Sequence, residues 1–551
     1  MRIAFAVLVL LAAAPLFAAP PQTFESFVDD VMAREMAESH VPGAVVLVVR
    51  DGKVVFQKGY GYANLETKEP VVAERTIFRI GSITKVFTAT AAMQLAERGK
   101  WKLTDDVNAY LPTWKVPATY RQPITIANLL THTAGLDEIS SGRKADSPGK
   151  LIPLGEFLPK RIVRRQPPST TISYSTYNMA LAGYLVESVS KMPLGDWFAA
   201  NIFGPLSMTH TSLGVVPAAQ QRDLAVGYDY SGGRHRPLAF EYFHTYPASD
   251  INSTATDMGS FLLAMLDGGK ILSAESTRAV QQRQFANHPR LAGMTYGWFE
   301  NRRNGVAAIE HGGVMDGYSA LLYIAPQQRF GVYVAGNIEN SNFPIAVRNE
   351  ILDREIPDTT KVTPPVAIDA PLARFAGSYR NDIWCHSCPA GSRGYFPSPV
   401  KVTANPDRTI SFWGGKWVQV EPLVFQLTGG QLDTGERIVA FREDGRGRIT
   451  HFFNATWSHE RVEPPRAAVR VPVRTLRRYA GRYELAPGRF IDVALSGDHL
   501  TATMTGQASA DLVPMTKTTF VASGADAEIT FGKGALTLRF GGKEMKAVKV
   551  P

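Results

Sequence analysis

The sequence predicts an α+β protein: an antiparallel sheet flanked by helices, continuous with a largely helical region, followed by two small antiparallel β-barrels. Three observations carry this. Two paired, β-rich apolar stretches, "PGAVVLVVRDGKVVFQKGYGYAN" and "YSALLYIAP" with "FGVYVAGN", bracket a long segment whose apolar residues recur at helical spacing. Beyond a proline-rich joint, "IPDTTKVTPPVAIDAP", that spacing gives way to short alternating strands with Gly, Asp and Pro turns. Within this tail "LARFAGSYR" at 372–380 returns as "LRRYAGRYE" at 476–484, the sign of a duplicated unit.

In chain order, "MRIAFAVLVLLAAAPLFAAPPQ" has an early arginine, an apolar run shorter than a bilayer span and a small-residue ending. It reads as a cleaved leader over 1–19, which makes the protein periplasmic or secreted. A domain over 20–355 follows. It opens with a helix near 24–39 and a hairpin turning at Asp51-Gly52, and continues with helices in "FRIGSITKVFTATAAMQLAERGK", "TIANLLTHTAGL", "MALAGYLVESVSK" and "TATDMGSFLLAMLDGG". The last of these starts at a Thr254 to Asp257 capping box. The second hairpin, near 318–337, and a helix near 344–354 close the domain against its own beginning. A linker over 356–371 leads to the first barrel, 372–462, and "VEPPRAAVRVPV" leads to the second, 474–551.

At 551 residues the chain exceeds what one core supports. Its net charge of +9 invites an anionic partner, but the densest basic cluster, "PKRIVRRQPP", is short and interrupted. That is a solvated face, and nucleic acid is not expected. No cysteine stands at the end of the leader's apolar run to take a lipid, and no later segment is apolar enough to span a bilayer, so no stable membrane anchor is expected. The two cysteines, in "WCHSCP", read as a disulfide between Cys385 and Cys388 in an oxidising compartment. A redox-active pair or half a metal site with His386 is the alternative, although one histidine leaves a closed zinc site short of ligands. No metal and no cofactor are expected.

The chemistry rests on Ser82 and Lys85. Ser-x-x-Lys occurs five times, beginning at Ser82, Ser141, Ser147, Ser188 and Ser398. The matches at Ser141, Ser147 and Ser398 lie among glycines and prolines and read as loops. Lys191, after Ser188, ends a helix, where a cation suits the macrodipole. Only Ser82 and Lys85 open a helix, on one face and close enough to share a proton. Burial of the helix behind them lowers a lysine's pKa and makes it useful as a base. A serine nucleophile also needs a second proton carrier and a site for the oxyanion. "ISYSTYNMALAG" offers Tyr174, with Tyr177 as competitor, and "AIEHGGVMDGYSALL" offers His311, Gly312 and Gly313 at a strand end, where glycines let a ligand approach the backbone.

These residues resemble a family. "FRIGSITKVFTA", "LLTHTAGL", "ISYSTYNMALAG", "PASDINSTATDMGSFLLAML" and "IEHGGVMDGYSALLYIAP" look like successive signature blocks of the serine hydrolases related to class C β-lactamases, peptidase family S12. The resemblance implies a penicillin-binding-protein-like catalytic domain with Ser82 as acylated nucleophile, Lys85 as its proton partner and Tyr174 as general base. It further implies that His311, Gly312 and Gly313 line the site and that the N–H groups of Ser82 and Val314 hold the oxyanion. His132 reads as structural. Thr176 departs from the pattern, standing where relatives carry an asparagine that contacts lysine and substrate, which tells against efficient β-lactam hydrolysis. Two β-units behind the domain look like the D-aminopeptidase branch, whose barrels are lipocalin-like and where one lends a loop to the entrance; here the 474–551 unit is expected to do so, the alternative being a wall- or partner-binding appendage that never approaches Ser82. The reading is an exported hydrolase of D-amino-acid peptides or amides, with carboxylesterase or weak β-lactamase as alternatives. A non-catalytic sensor of β-lactams or muropeptides is the alternative of another class. The partners it implies are small peptides, amides or esters, cell-wall fragments and further copies of the chain.

Overall fold

The structure is a computed structural model that describes residues 22–359, 365–368, 370–383, 385–388, 399–428, 437–462, 469–505, 509–522, 527–540 and 543–550. The leader lies outside them, as do residues 360–364 and 369 of the first proline-rich joint and 463–468 of the second.

The strand Gly43–Arg50 is apolar along its length because both faces of its sheet are covered. It turns into Lys53–Asn64 through Asp51 and Gly52, both at positive φ (51° and 75°), the conformation a two-residue hairpin requires. On its other side it pairs antiparallel with Phe330–Gly336, so the two ends of the domain meet in mid-sheet. The seven-stranded sheet runs Phe299–Asn301, Ala308–Met315, Tyr318–Ala325, Phe330–Gly336, Gly43–Arg50, Lys53–Asn64, Glu69–Pro70. Helices Phe24–Glu38 and Asn342–Glu355 cover one face, burying Val28, Val31, Phe343 and Val347 against Val46 and Val334. Helices Thr84–Glu97 and Ala255–Asp267 lie in the core on the other face with Leu47, Leu322 and Tyr333.

Two expectations change in detail. "TIANLLTHTAGL" is helical only over Ile126–Leu130, because His132 (φ 54°) and Gly135 (φ 70°) turn the chain out of the helix. Thr254 accepts the N–H of Asp257 at 3.3 Å, but the Asp257 carboxylate faces His210 N and Thr211 Oγ1, so only half of that capping box forms. A complete one caps Ile126–Leu130, between Thr125 and Asn128.

The tail forms two closed antiparallel barrels of eight strands each. The sequence repeat has the same function in both. Tyr379 Oη donates to Phe375 O at 2.7 Å and Tyr483 Oη donates to Tyr479 O at 2.7 Å, tying the entry turn of each barrel to its first strand. Among the described residues no helix is long and apolar enough to cross a membrane.

Candidate active site

Ser82 lies in the 3₁₀ turn Gly81–Ile83, immediately ahead of the helix Thr84–Glu97. The turn packs against the strand Ala308–Met315 so closely that a Cβ on Gly313 would meet Ile80 O at 1.9 Å and Ser82 N at 3.2 Å. Gly81, at φ 53°, comes equally near Val314: a Cβ there would lie 3.1 Å from Val314 N. The two strand glycines therefore do different things. Gly313 admits the nucleophile turn, whereas a Cβ on Gly312 would have no neighbour nearer than Ala320 O at 3.8 Å.

Lys85 is buried, with Nζ 2.8 Å from Ser82 Oγ and 2.8 Å from the Ala248 carbonyl, to which it donates. Burial drives its pKa down to about 7, with the Glu138 carboxylate opposing and the Arg143 guanidinium assisting. Tyr174 Oη lies 3.0 Å from Ser82 Oγ, and the Lys85 ammonium is 4.9 Å from the centre of the Tyr174 ring. Tyr177 points elsewhere and donates to Ile139 O at 2.7 Å. His132 packs on Tyr174 at 4.5 Å, and its Nδ1 accepts from Ser175 N and from Asn178 Nδ2. It braces the segment that delivers the tyrosine.

His311 lies 6.4 Å from Tyr174 between ring centres and donates Nδ1–H to Gly312 O at 2.7 Å. Burial, reinforced by Lys85, lowers its pKa to about 3, so this strand position carries no charge at neutral pH. Thr176 turns its hydroxyl toward Glu138 Oε1 at 2.7 Å and accepts from Arg143 Nη1 at 2.8 Å. Glu138 also accepts from Ser175 Oγ, from Thr176 N and from Arg143 Nη1. Neither Glu138 nor Arg143 stands out in the sequence. The one available signal is the Asp137-Glu138 doublet directly after the apolar "LLTHTAGL", a pair of acids that must find partners if buried.

The first barrel also contributes. Asp137 accepts from His386 N (2.8 Å), Ser387 N (2.8 Å) and Ser387 Oγ (2.6 Å), on the loop closed by the Cys385–Cys388 disulfide. Asp382 pairs with Arg165 at 3.2 Å, Arg442 donates to Thr170 O, and Leu291 packs into Val424, Ala440 and Phe453. Trp457 reaches 6.4 Å from the Tyr174 ring. Among the described residues, the entrance contact seen on Tyr174 is that of Trp457 in the first barrel, where the 474–551 unit was expected to supply it; from that unit Lys543 acts by charge on Asp316, in the turn after the Gly312-Gly313 strand. The physical reason is the docking of the first barrel's loops on Asp137, Arg165 and Leu291, which brings its hairpin ends to the cleft. The ligand atoms of Asp382, His386 and Glu460 lie within 4.8 Å of one another, but Arg165 already sits 3.2 Å from Asp382 and 3.8 Å from Glu460. That guanidinium supplies the positive charge a metal would bring.

A serine and a buried lysine at a helix start, set against a glycine-containing strand on this fold, define a serine hydrolase of the β-lactamase and penicillin-binding-protein type. The chain belongs to the Beta-lactamase family, whose model matches residues 28–354. Residues 465–546, in the second barrel, match a domain of unknown function, DUF3471. Protein flp of Staphylococcus aureus (strain N315) is 27% identical over 332 residues, covering 58% of this chain; the chain spans 65% of the length of that relative. The putative penicillin-binding protein PbpX of Bacillus subtilis (strain 168) is 31% identical over 310 residues, 55% of this chain and 73% of that protein. Among solved structures, the octameric penicillin-binding protein homologue from Pyrococcus abyssi is similar over 96% of this chain and 100% of that one, with TM-score 0.54 and 19% identity. SurE with D-Leu is similar over 79% and 99%, with TM-score 0.53 and 21% identity. At these identities the likeness to the solved structures is one of fold.

Proposed function

We propose that the chain is an exported hydrolase of D-amino-acid peptides or amides, working through an acyl-enzyme on Ser82. The observation that carries the reading is the convergence of Lys85 Nζ (2.8 Å) and Tyr174 Oη (3.0 Å) on one serine oxygen. Lys85, with its pKa brought down to about 7, takes the proton of Ser82 as the oxygen attacks the acyl carbon. Tyr174 passes a proton to the leaving atom and later draws one from the water that releases the acyl group. The N–H groups of Ser82 and Val314, drawn together by the approach of Gly81 and Gly313, hold the oxyanion. The D-configuration is supported by the fold shared with SurE, solved with D-Leu, and by the barrels behind the domain. Export rests on the leader, and assembly into oligomers on the likeness to an octameric homologue.

The test is a fluorophosphonate labelling gel with parallel assays of D-alanyl amides, p-nitrophenyl esters and nitrocefin. Ser82→Ala abolishes labelling and lowers turnover by several orders of magnitude; Lys85→Met and Tyr174→Phe are about as damaging, because groups acting as a unit are not additive. Labelling without turnover of any substrate would favour the sensor reading. The same acyl-enzyme chemistry on Ser82 serves ester hydrolysis as a second activity.

A further inference from the structure

We infer that Trp457, carried by the first barrel, is a specificity-determining residue that joins Phe299 in walling the leaving-group side of the cleft, where it selects uncharged, flat or apolar leaving groups. This rests on the hydrolase reading above. In acylation a bond forms between Ser82 Oγ and the acyl carbon, the bond from that carbon to the leaving atom breaks, and the serine's proton ends on the leaving atom. The group that delivers the proton must reach both oxygen and leaving atom. Lys85 is buried, with its second contact on the Ala248 carbonyl, whereas Tyr174 lies before the helix Thr176–Ser190 with Oη 3.0 Å from Ser82 Oγ. The leaving atom therefore lies beside Tyr174.

Among the described residues, what surrounds that side is aromatic. Phe299 stacks on Tyr174 at 6.0 Å, Trp457 lies 6.4 Å from Tyr174 and 5.6 Å from Phe299, and Phe299 lies 5.1 Å from His311. Trp457 is part-exposed, as a wall that meets substrate must be. His311 is uncharged at neutral pH, so a carboxylate beside the leaving atom has no cation to meet on this strand, while a ring or an alkyl group has area to bury.

The wall is also fixed in place. Trp457 follows the two-residue turn Ala455-Thr456, with Ala455 at φ 47° and buried. Thr456 O accepts from Asn287 Nδ2 at 3.3 Å, and Asn287 Oδ1 accepts from Ile172 N at 2.8 Å. Since Ile172 is two residues from Tyr174, the hairpin tip and the tyrosine are held through one asparagine, and the aromatic surface keeps its place relative to the proton carrier.

The test compares phenyl acetate with methyl acetate, and D-alanine anilide with D-alaninamide, in the full chain and its Trp457→Ala and Trp457→Phe variants. Trp457→Ala is expected to lower kcat/KM for each aryl substrate about tenfold relative to its small partner, the scale of one lost aromatic contact; Trp457→Phe recovers most of it. D-alanyl-D-alanine, whose leaving group carries a carboxylate, is expected to be poorer than D-alaninamide in the unaltered chain. Because each comparison is a ratio on the same preparation, a variant that folds only in part still gives the answer. An equal loss on both members of a pair, or a gain on the aryl member, overturns the assignment. Failure of the D-amino acid arm leaves the ester ratio standing. Absence of fluorophosphonate labelling at Ser82 in the unaltered chain would overturn the hydrolase reading itself, and this inference with it.

Discussion

Lys85 decides the pH dependence. The groups that face it are Glu138, Arg143, His132, His311 and Tyr174. Burial holds both imidazoles below the ordinary histidine range, His311 at about 3 and His132 well down, so neither titrates near neutrality. An amine that must be uncharged to accept the serine proton makes kcat/KM for a neutral ester rise with pH through an acidic limb near 7, the value burial gives Lys85. Glu138 raises that pKa and Arg143 lowers it. Glu138→Gln should therefore move the limb to lower pH and Arg143→Gln to higher pH, as read from pH–rate profiles. A limb fixed in both variants would mean that neither residue sets the lysine's charge. Thr176→Asn, which would restore the carboxamide that relatives carry, must displace a hydroxyl bonded to both Glu138 and Arg143, and is expected to leave nitrocefin turnover low. Ser82, Lys85 and Tyr174 were legible because each sits in a local pattern with a chemical use. Glu138 and Arg143 were not, since their role comes from a loop that folds back onto Thr176. Arg143 even lies inside Ser141-Gly-Arg-Lys144, a stretch set aside as loop.

At the scale of elements, the site is a joint between a turn and a strand. Gly313→Ala would place a methyl group 1.9 Å from Ile80 O, and both atoms belong to backbone held in ladders and turns. Strand and nucleophile turn must then part, taking Val314 N–H away from Ser82. A displacement near 1 Å at such a site costs on the order of a hundredfold in rate. Gly313→Ala should thus lower kcat by about that factor, while Gly312→Ala, with 3.8 Å to its nearest neighbour, has no clash to relieve and perturbs less. Equal effects of the two on kcat and melting temperature would show that the close approach is not what matters. The hairpins and long helices were readable from periodicity and turn residues. The short helix Ile126–Leu130 was overread because its stop is set by His132 at positive φ, and a histidine carries no such signal in sequence.

At the scale of the molecule, the repeat revealed two barrels but not which one serves the site. Docking depends on single side chains, Asp382 and Leu291 in loops and Arg442 in the strand Ile438–Glu443, with no period to betray them. The first barrel grips the segment that leads into Tyr174: Arg442 donates to Thr170 O, Thr171 Oγ1 to Asp382 Oδ2, and Asn287 links Thr456 to Ile172. Excising the hydrolase domain alone therefore removes a brace along with an appendage. A single substitution in the full chain separates these effects. Asp382→Ala leaves Arg165, 8% exposed, with only the more distant, half-exposed Glu460 carboxylate at 3.8 Å, and because that partner remains the cost should stay below the ~3–5 kcal/mol of a buried pair broken from one side. It also removes the acceptor of the Thr171 hydroxyl, leaving Thr171 held by the Gln166 side chain. The melting temperature should fall, and kcat should fall for phenyl and methyl esters alike, because Tyr174 loses its position with respect to Ser82 whatever the leaving group. That uniform loss contrasts with the selective one expected of Trp457→Ala. A lowered melting temperature with kcat unchanged would mean that the hydrolase domain holds Tyr174 by itself, through His132 and Asn178, and that the first barrel only shapes the entrance.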